Sequence, residues 1–330
     1  MNTIEAGEML LEVEKVSALT PEIILIRLRA PDGAALPGYQ AGAHIKVQVQ
    51  VEGQHAWRHY SLIDFDHAAC AAPLEYVIAV RRESSATGGR GGSLYLHTAI
   101  QVGQRLRVGA PRNAFGLKET DDDVVLIAGG IGVTPLASMA AVLQGTGKRY
   151  ALHYSGRSVA GLALVSELQA LAGSALTLYG DDAERRLDLA LLLGACRPSQ
   201  PLYVCGPKGM ITAVRENAQK LGWAPDMVRY ELFAEAVAEA GDAPFEVELL
   251  QSGCTVQVGA HETILDAMIA AGLDPMYDCR RGDCGVCTVG LVDGEADHRD
   301  SCQTRAERAA GNVIQICISR ARSGRLVLDA

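Results

Sequence analysis

No stretch of the 330-residue sequence approaches the ~20 consecutive apolar residues that a membrane-spanning helix needs, and no membrane partner is expected. Positive charge is also short. Thirty Lys and Arg stand against 39 Asp and Glu, a formal net charge of −9. A protein that holds nucleic acid or an anionic membrane by charge carries the opposite balance, so no nucleic-acid partner is expected. An acidic surface serves solubility and also suits a basic docking partner. The opening segment MNTIEAGEMLLEVEKV has no basic region followed by an apolar core. It does not read as a secretory signal, and the expected compartment is the cytoplasm. Internal repeats and long low-complexity segments are lacking too.

The rest of the composition is that of a globular protein with sizeable cores: 48% hydrophobic and 21% charged. The length suits two or three domains. Cysteine is plentiful, with nine residues. In a reducing compartment that points to metal or redox chemistry ahead of disulfides.

Three textures follow one another. Residues 8–116 hold short alternating stretches (LLEVEKV, IILIRL, HIKVQVQV, LEYVIAV, RLRVGAP) separated by Gly, Pro and Asp, which predicts an antiparallel β-barrel or sandwich. In residues 121–233 strand-like VVLIAGG, YALHYSG, LTLYGDD and PLYVCGP alternate with helix-like LASMAAVLQ and ITAVRENAQKLG, a βαβ pattern with a buried parallel sheet. FAEAVAEAGDAPFE reads as a linker, and strand-like texture resumes with FEVELLQSG and a helix at ETILDAMIAAG. The expected domains are 1–116, 117–233 and 244–330, with 234–243 as the linker.

The segment YDCRRGDCGVCTVG carries C-x4-C-x2-C, and a fourth cysteine follows after 29 intervening residues. Cys279, Cys284, Cys287 and Cys317 match the plant-type [2Fe–2S] spacing. Gly282 and Gly285 allow tight turns that bring backbone N–H groups toward the sulfurs. Zinc is the alternative, but zinc sites pair two short cysteine arms or use histidines. The expectation for Cys70, Cys196, Cys205, Cys254 and Cys302 is buried structural thiols.

VVLIAGGIGVTP (124–135) runs a strand into glycines, with Thr134 a candidate N-cap and Pro135 a candidate first helical residue. Gly129, Gly130 and Gly132 leave room for a pyrophosphate, although the order is not GxGxxG. A second turn, Cys205–Gly206–Pro207, ends another strand, where ligands bind in parallel sheets. Upstream, WRHYSL supplies Arg58 for a phosphate, His59, Tyr60 for stacking on a flavin ring, and Ser61 for hydrogen bonding. Gly89, Arg90, Gly91, Gly92 and Ser93 supply the amides, guanidinium and hydroxyl of a phosphate cradle. Taken alone, RxYS reads better as a strand with an exposed cation and a packed aromatic.

RHYSL, GRGGS, GGIGVTP, CGP, YELFA and C-x4-C-x2-C…C, in this order over almost the whole chain, resemble the reductases of Rieske-type oxygenases, the family of phthalate dioxygenase reductase and vanillate demethylase reductase. The resemblance implies an FMN-binding barrel, an NAD-binding α/β domain and a C-terminal β-grasp ferredoxin. It implies that Arg58, His59, Tyr60 and Ser61 contact FMN and that Ile78, Ala79 and Val80 line its ring. Residues 89–93 hold its phosphate. Thr134 sits by flavin and nicotinamide, Cys205 to Pro207 flank the nicotinamide, and Phe233 packs near the flavin. GRGGS favours FMN over FAD. Asp181 and Asp182 favour NADH over NADPH, since they repel a 2′-phosphate; Arg157 argues the other way or touches ribose or pyrophosphate.

The implied reaction carries electrons from NADH through FMN and the cluster to the Rieske centre of a terminal oxygenase. Plant-type clusters lie near about −400 mV and Rieske centres higher, so delivery is downhill. Arg280, Arg281 and Asp283 are expected at the cluster's exposed edge. The rival readings are a reductase for a P450 or diiron oxygenase, and a non-catalytic iron–sulfur carrier or sensor. The latter has no use for the two nucleotide turns.

Overall fold

A computed structural model describes residues 7–66, 71–83, 91–183, 185–233, 241–277, 280–282, 284–300 and 302–330. Cys70, Gly89, Arg90, Cys279 and Asp283 lie outside the described residues. The chain divides into two compact units, Met1–Glu231 and Leu232–Ala330.

The first unit begins with β1 (Glu8–Thr20), β2 (Ile23–Arg29), β3 (His44–Val51), β4 (Gln54–Ser61), β5 (Glu75–Arg81), α1 (Gly92–Thr98) and β6 (Arg105–Gly109). The strands form one antiparallel sheet in the order β4-β3-β6-β1-β2-β5, and its edge strands β4 and β5 touch, which gives the expected barrel-like form. Alternation drives it. In β3, Ile45, Val47 and Val49 point inward and meet Leu11, Val13, Ile26, Leu28, Ile78, Val80, Leu106 and Val108. Each such side chain contributes about 1.5–3 kcal/mol through burial. The Tyr76 ring joins this core, and its hydroxyl donates to the Pro37 carbonyl at 2.6 Å.

The α/β part follows: β7 (Val124–Gly129), α2 (Val133–Gly145), β8 (Tyr150–Gly156), α3 (Val165–Ala172), β9 (Leu176–Gly180), α4 (Leu189–Gly194), β10 (Leu202–Cys205), α5 (Lys208–Lys220) and β11 (Val228–Glu231). All five strands are parallel, in the order β11-β10-β7-β8-β9. β7 and β10 are buried at every position, as strands covered on both faces must be. The strand order reverses between β7 and β10, so a ligand crevice belongs at their C-terminal ends.

Asp121 fastens the approach to β7. Its carboxylate accepts from the Tyr203 hydroxyl at 2.6 Å and pairs with Arg229. Burial, with Asp121 close by, pushes the Tyr203 hydroxyl up to about 12.

The second unit holds β12 (Phe245–Leu249), β13 (Cys254–Val258), α6 (Ile264–Ala270), β14 (Thr288–Asp293), β15 (Ala296–Asp297), α7 (Arg305–Ala310), β16 (Val313–Gln315), β17 (Arg320–Ala321) and β18 (Arg325–Asp329). A β12–β13 hairpin, β18 parallel to β12, and antiparallel β14 and β16 make a five-stranded β-grasp sheet, with α6 packed into its core. Arg299 holds Asp242 at 2.9 and 2.5 Å, while Arg320 donates to the carbonyls of Ala243, Gly259 and Glu262, anchoring the start of this unit. Among the described residues no helix is long and apolar enough to cross a membrane.

Candidate functional site

The barrel brings its sequence motifs together. Arg58 lies on β4 and Gly91 to Ser93 open α1, yet the two meet: a Cβ on Gly92 would stand 2.6 Å from Arg58 Cγ. Gly91 has φ of 78° and would press a side chain against Val51. Gly91 needs glycine for its φ, and the close approach at Gly92 sets a guanidinium beside the backbone amides that open α1. That donor set fits a flavin phosphate. The Ser93 hydroxyl accepts from the Glu83 N–H at 3.0 Å and ties this turn to the end of β5. His59 and Tyr60 are half-buried on β4, Ser61 is buried, and His59 stands edge-on to His44 at 5.2 Å.

Ile78, Ala79 and Val80 are buried on β5, paired with Ile26, Leu25 and Ile24. The Val77 carbonyl accepts from Ile63 at the other edge of the strand. Ala79, two residues on, presents its backbone along that same edge. The sequence reading missed His97 on α1, whose Nε2 lies 2.9 Å from the Val80 carbonyl. As the carbonyl only accepts, the ring donates, and α1 is locked to the strand.

The two nucleotide turns also meet. A Cβ on Gly132 would collide with the Cys205 carbonyl and stand 2.7 Å from the Gly206 nitrogen, while one on Gly129 would stand 2.7 Å from Pro207 Cδ. A Cβ on Gly206 would stand 3.0 Å from Gly129 Cα and collide with Met210. These contacts occur where the strand order reverses, so the glycines let the two turns pack backbone to backbone at the sheet edge where parallel sheets bind ligands, a place that fits a dinucleotide.

The helix start differs from expectation. Gly130–Gly132 winds as a 3-10 turn directly into α2, which begins at Val133 with Gly132 as its cap. Thr134 is therefore not the N-cap, nor Pro135 the first helical residue. Thr134 is buried, and its hydroxyl donates to the Ile131 carbonyl at 3.0 Å. Asp181 and Asp182 are exposed past the end of β9, and Arg157 is exposed past the end of β8. Phe233 is half-buried two residues past β11.

In the second unit, the antiparallel register Thr288↔Gln315 sets Cys287 beside the end of β16, and the Ile316 N–H donates to the Cys287 carbonyl at 3.3 Å. Cys317 follows. Both thiols are buried in one core, and Cys284 is half-buried on the loop before them. Gly282 and Gly285 have φ of 77° and 72°, as the tight loop demands, and a Cβ on Gly282 would press against Ile318 and Asp300. Three thiols, those of Cys284, Cys287 and Cys317, are of the type that fits a thiolate-held [2Fe–2S] cluster, although among the described residues no three possible metal ligands form one group and Cys279 lies outside those residues.

Two neighbours were not legible beforehand. Gln315 is buried with its side-chain oxygen 3.5 Å from Cys287 Sγ. The Asp300 carboxylate is buried and accepts from the Gln303 N–H at 2.9 Å. The expected exposed edge is corrected in part. Arg281 is buried. Arg280 is half-buried, paired with Asp266 at 2.9 Å and stacked over Tyr277.

Known proteins share this arrangement. Residues 10–116 match the oxidoreductase FAD-binding domain, and residues 247–322 match the 2Fe-2S iron-sulfur cluster binding domain. Phenoxybenzoate dioxygenase subunit beta of Ectopseudomonas oleovorans is 37% identical, over 97% of this chain and 96% of its own. Vanillate O-demethylase oxidoreductase of Acinetobacter baylyi is 33% identical, over 96% and 97%. The chain belongs to the oxygenase reductases that join a flavin domain to a [2Fe–2S] domain. The crystal structure of phthalate dioxygenase reductase matches this reductase with a TM-score of 0.74 and 34% identity, over 98% of each chain. An intact type IV self-sufficient cytochrome P450 monooxygenase matches with a TM-score of 0.77 and 35% identity, over all of this chain and 43% of its own. The reductase is thus a flavin- and [2Fe–2S]-dependent oxidoreductase of the kind that serves oxygenase systems.

Proposed function

We propose that this reductase carries electrons from NADH through FMN and a [2Fe–2S] cluster to the Rieske centre of a separate terminal oxygenase in the cytoplasm. The observation that supports it best is the meeting of the Gly129–Gly132 and Cys205–Pro207 turns at the reversal of strand order. A carrier or sensor has no use for such a pair of nucleotide turns. When bound, flavin and cluster together convert a two-electron hydride input into one-electron output.

The residues supply orientation and charge. Arg58 and the 89–93 turn hold the flavin phosphate, and Tyr60, Ser61 and the backbone of residues 78–80 fix its ring. Thr134, Cys205 and Phe233 are the groups assigned next to the reacting rings. Asp181 and Asp182 repel a 2′-phosphate and so select NADH. Cys279, Cys284, Cys287 and Cys317 ligate the irons. The domains run 1–116, 117–233 and 244–330, joined by 234–243.

A P450 acceptor is the second reading, favoured by the likeness to the self-sufficient P450. There the acceptor is part of a chain more than twice as long, whereas the full-length relatives are separate reductase subunits. The test is chromatography of the acid-extracted flavin, with NADH and NADPH oxidation compared. FMN and a preference for NADH support the proposal; FAD with an NADPH preference contradicts it.

A further inference from the structure

Ser138 is a polar residue in the apolar interior of α2, only 1% exposed. Its hydroxyl donates to the Leu62 carbonyl at 2.9 Å and accepts from the Asp64 N–H at 2.9 Å. Those two groups lie where the chain leaves β4, immediately after Ser61. The N–H groups between are taken by other strands: Leu62 donates to Ala43 at 2.8 Å and Ile63 to Val77 at 2.9 Å. One hydroxyl on α2 thus completes the backbone pairing of this corner of the barrel, where an unmet buried group is costly.

Thr134 lies one helical turn before Ser138, on the same face of α2. A single rigid turn of helix therefore joins the end of the flavin-binding strand to the nucleotide turn. Met139 also reaches across, where a Cβ on Gly42 would stand 2.9 Å from its terminal methyl carbon. That contact is apolar and fills space without fixing direction. The two bonds to Ser138 are directional.

We infer that Ser138 is a positioning residue for hydride transfer, setting the Arg58–Ser61 strand against the Gly129–Thr134 turn. The inference rests on the flavin and nicotinamide assignments above. A displacement of about 1 Å between reacting groups is enough to slow a reaction 10²-fold, and loss of these bonds allows a fraction of that.

The test compares Ser138→Ala, Ser138→Cys and Ser138→Thr in the flavin-loaded full chain. Ala and Cys are expected to slow first-turnover flavin bleaching at saturating NADH on the order of 10-fold. The NADH concentration for half-maximal rate is expected to hold, and the visible circular dichroism of the flavin to change. Thr keeps the hydroxyl and is expected to restore rate and spectrum. Should the Ala protein fail to hold flavin, the Cys protein, which fills the site but keeps only a weak donor and acceptor there, decides alone. Wild-type rate and spectrum in the Cys protein overturn the inference, even with a lowered melting temperature. A wild-type protein that NADH does not bleach overturns the site assignment itself, which is a different result.

Discussion

Gly132 and Cys205 touch through their backbones: a side chain on Gly132 would collide with the Cys205 carbonyl oxygen. The partner atoms are main chain at the end of a buried strand and have little room to yield. Gly132→Ala is expected to cost about 1–3 kcal/mol by overpacking. If about 1.4 kcal/mol of that falls on nucleotide binding, the KM for NADH rises about tenfold. Flavin content holds, because the barrel motifs are untouched. Steady-state kinetics and flavin absorbance check both.

Asp181 and Asp182 follow β9, and the Asp181 N–H donates to the Gly156 carbonyl at 3.2 Å. Both side chains are exposed there. Replacing both with Ser removes two negative charges from the place assigned to the ribose. The kcat/KM for NADPH is expected to rise about 10-fold, an amount equal to about 1.4 kcal/mol, with a smaller loss for NADH.

The strands, the parallel sheet and the cysteine spacing were legible because each has a local signal: period-two alternation, continuous apolar runs, fixed spacing. α1 was not, since GSLYLHT is too short to show a helical period and opens on glycine. Thr134 looked like an N-cap because sequence does not tell a 3-10 turn from a loop. Ser138 looked like any small residue in an Ala-rich helix. Its meaning comes from backbone groups 74 and 76 residues away. Arg281 looked exposed beside Arg280, because neighbouring like residues carry no local signal of burial, yet it is buried.

Cys302 sits near the cluster loop, its sulfur 3.9 Å from where a Cβ on Gly285 would lie. Burial first, and then the negative charge of Asp300, pushes its thiol up to about 12. Its place between the third and fourth cysteines of the plant-type spacing makes it a bystander, not a ligand. Cys302→Ser is expected to keep its full iron content, while Cys284→Ser, Cys287→Ser and Cys317→Ser each lose it. Iron analysis and visible absorbance separate the two groups.

Arg280 and Arg281 are expected to part ways. Arg280→Glu alters a half-exposed charge, so iron content and NADH-to-flavin transfer hold while delivery to the oxygenase slows several-fold, most at low salt. Arg281→Glu places a carboxylate in a buried site and is expected to lose most of its iron. Iron content and partner reduction at two salt concentrations distinguish the outcomes.

On the proposed function, nicotinamide, flavin and cluster form one electron chain within this protein. Anaerobic addition of NADH to the fully loaded reductase, followed by visible absorbance and electron paramagnetic resonance, tests it directly. Bleaching of the flavin and appearance of the reduced [2Fe–2S] signal are expected. Oxidation of NADH with a cluster that never becomes reduced would contradict it.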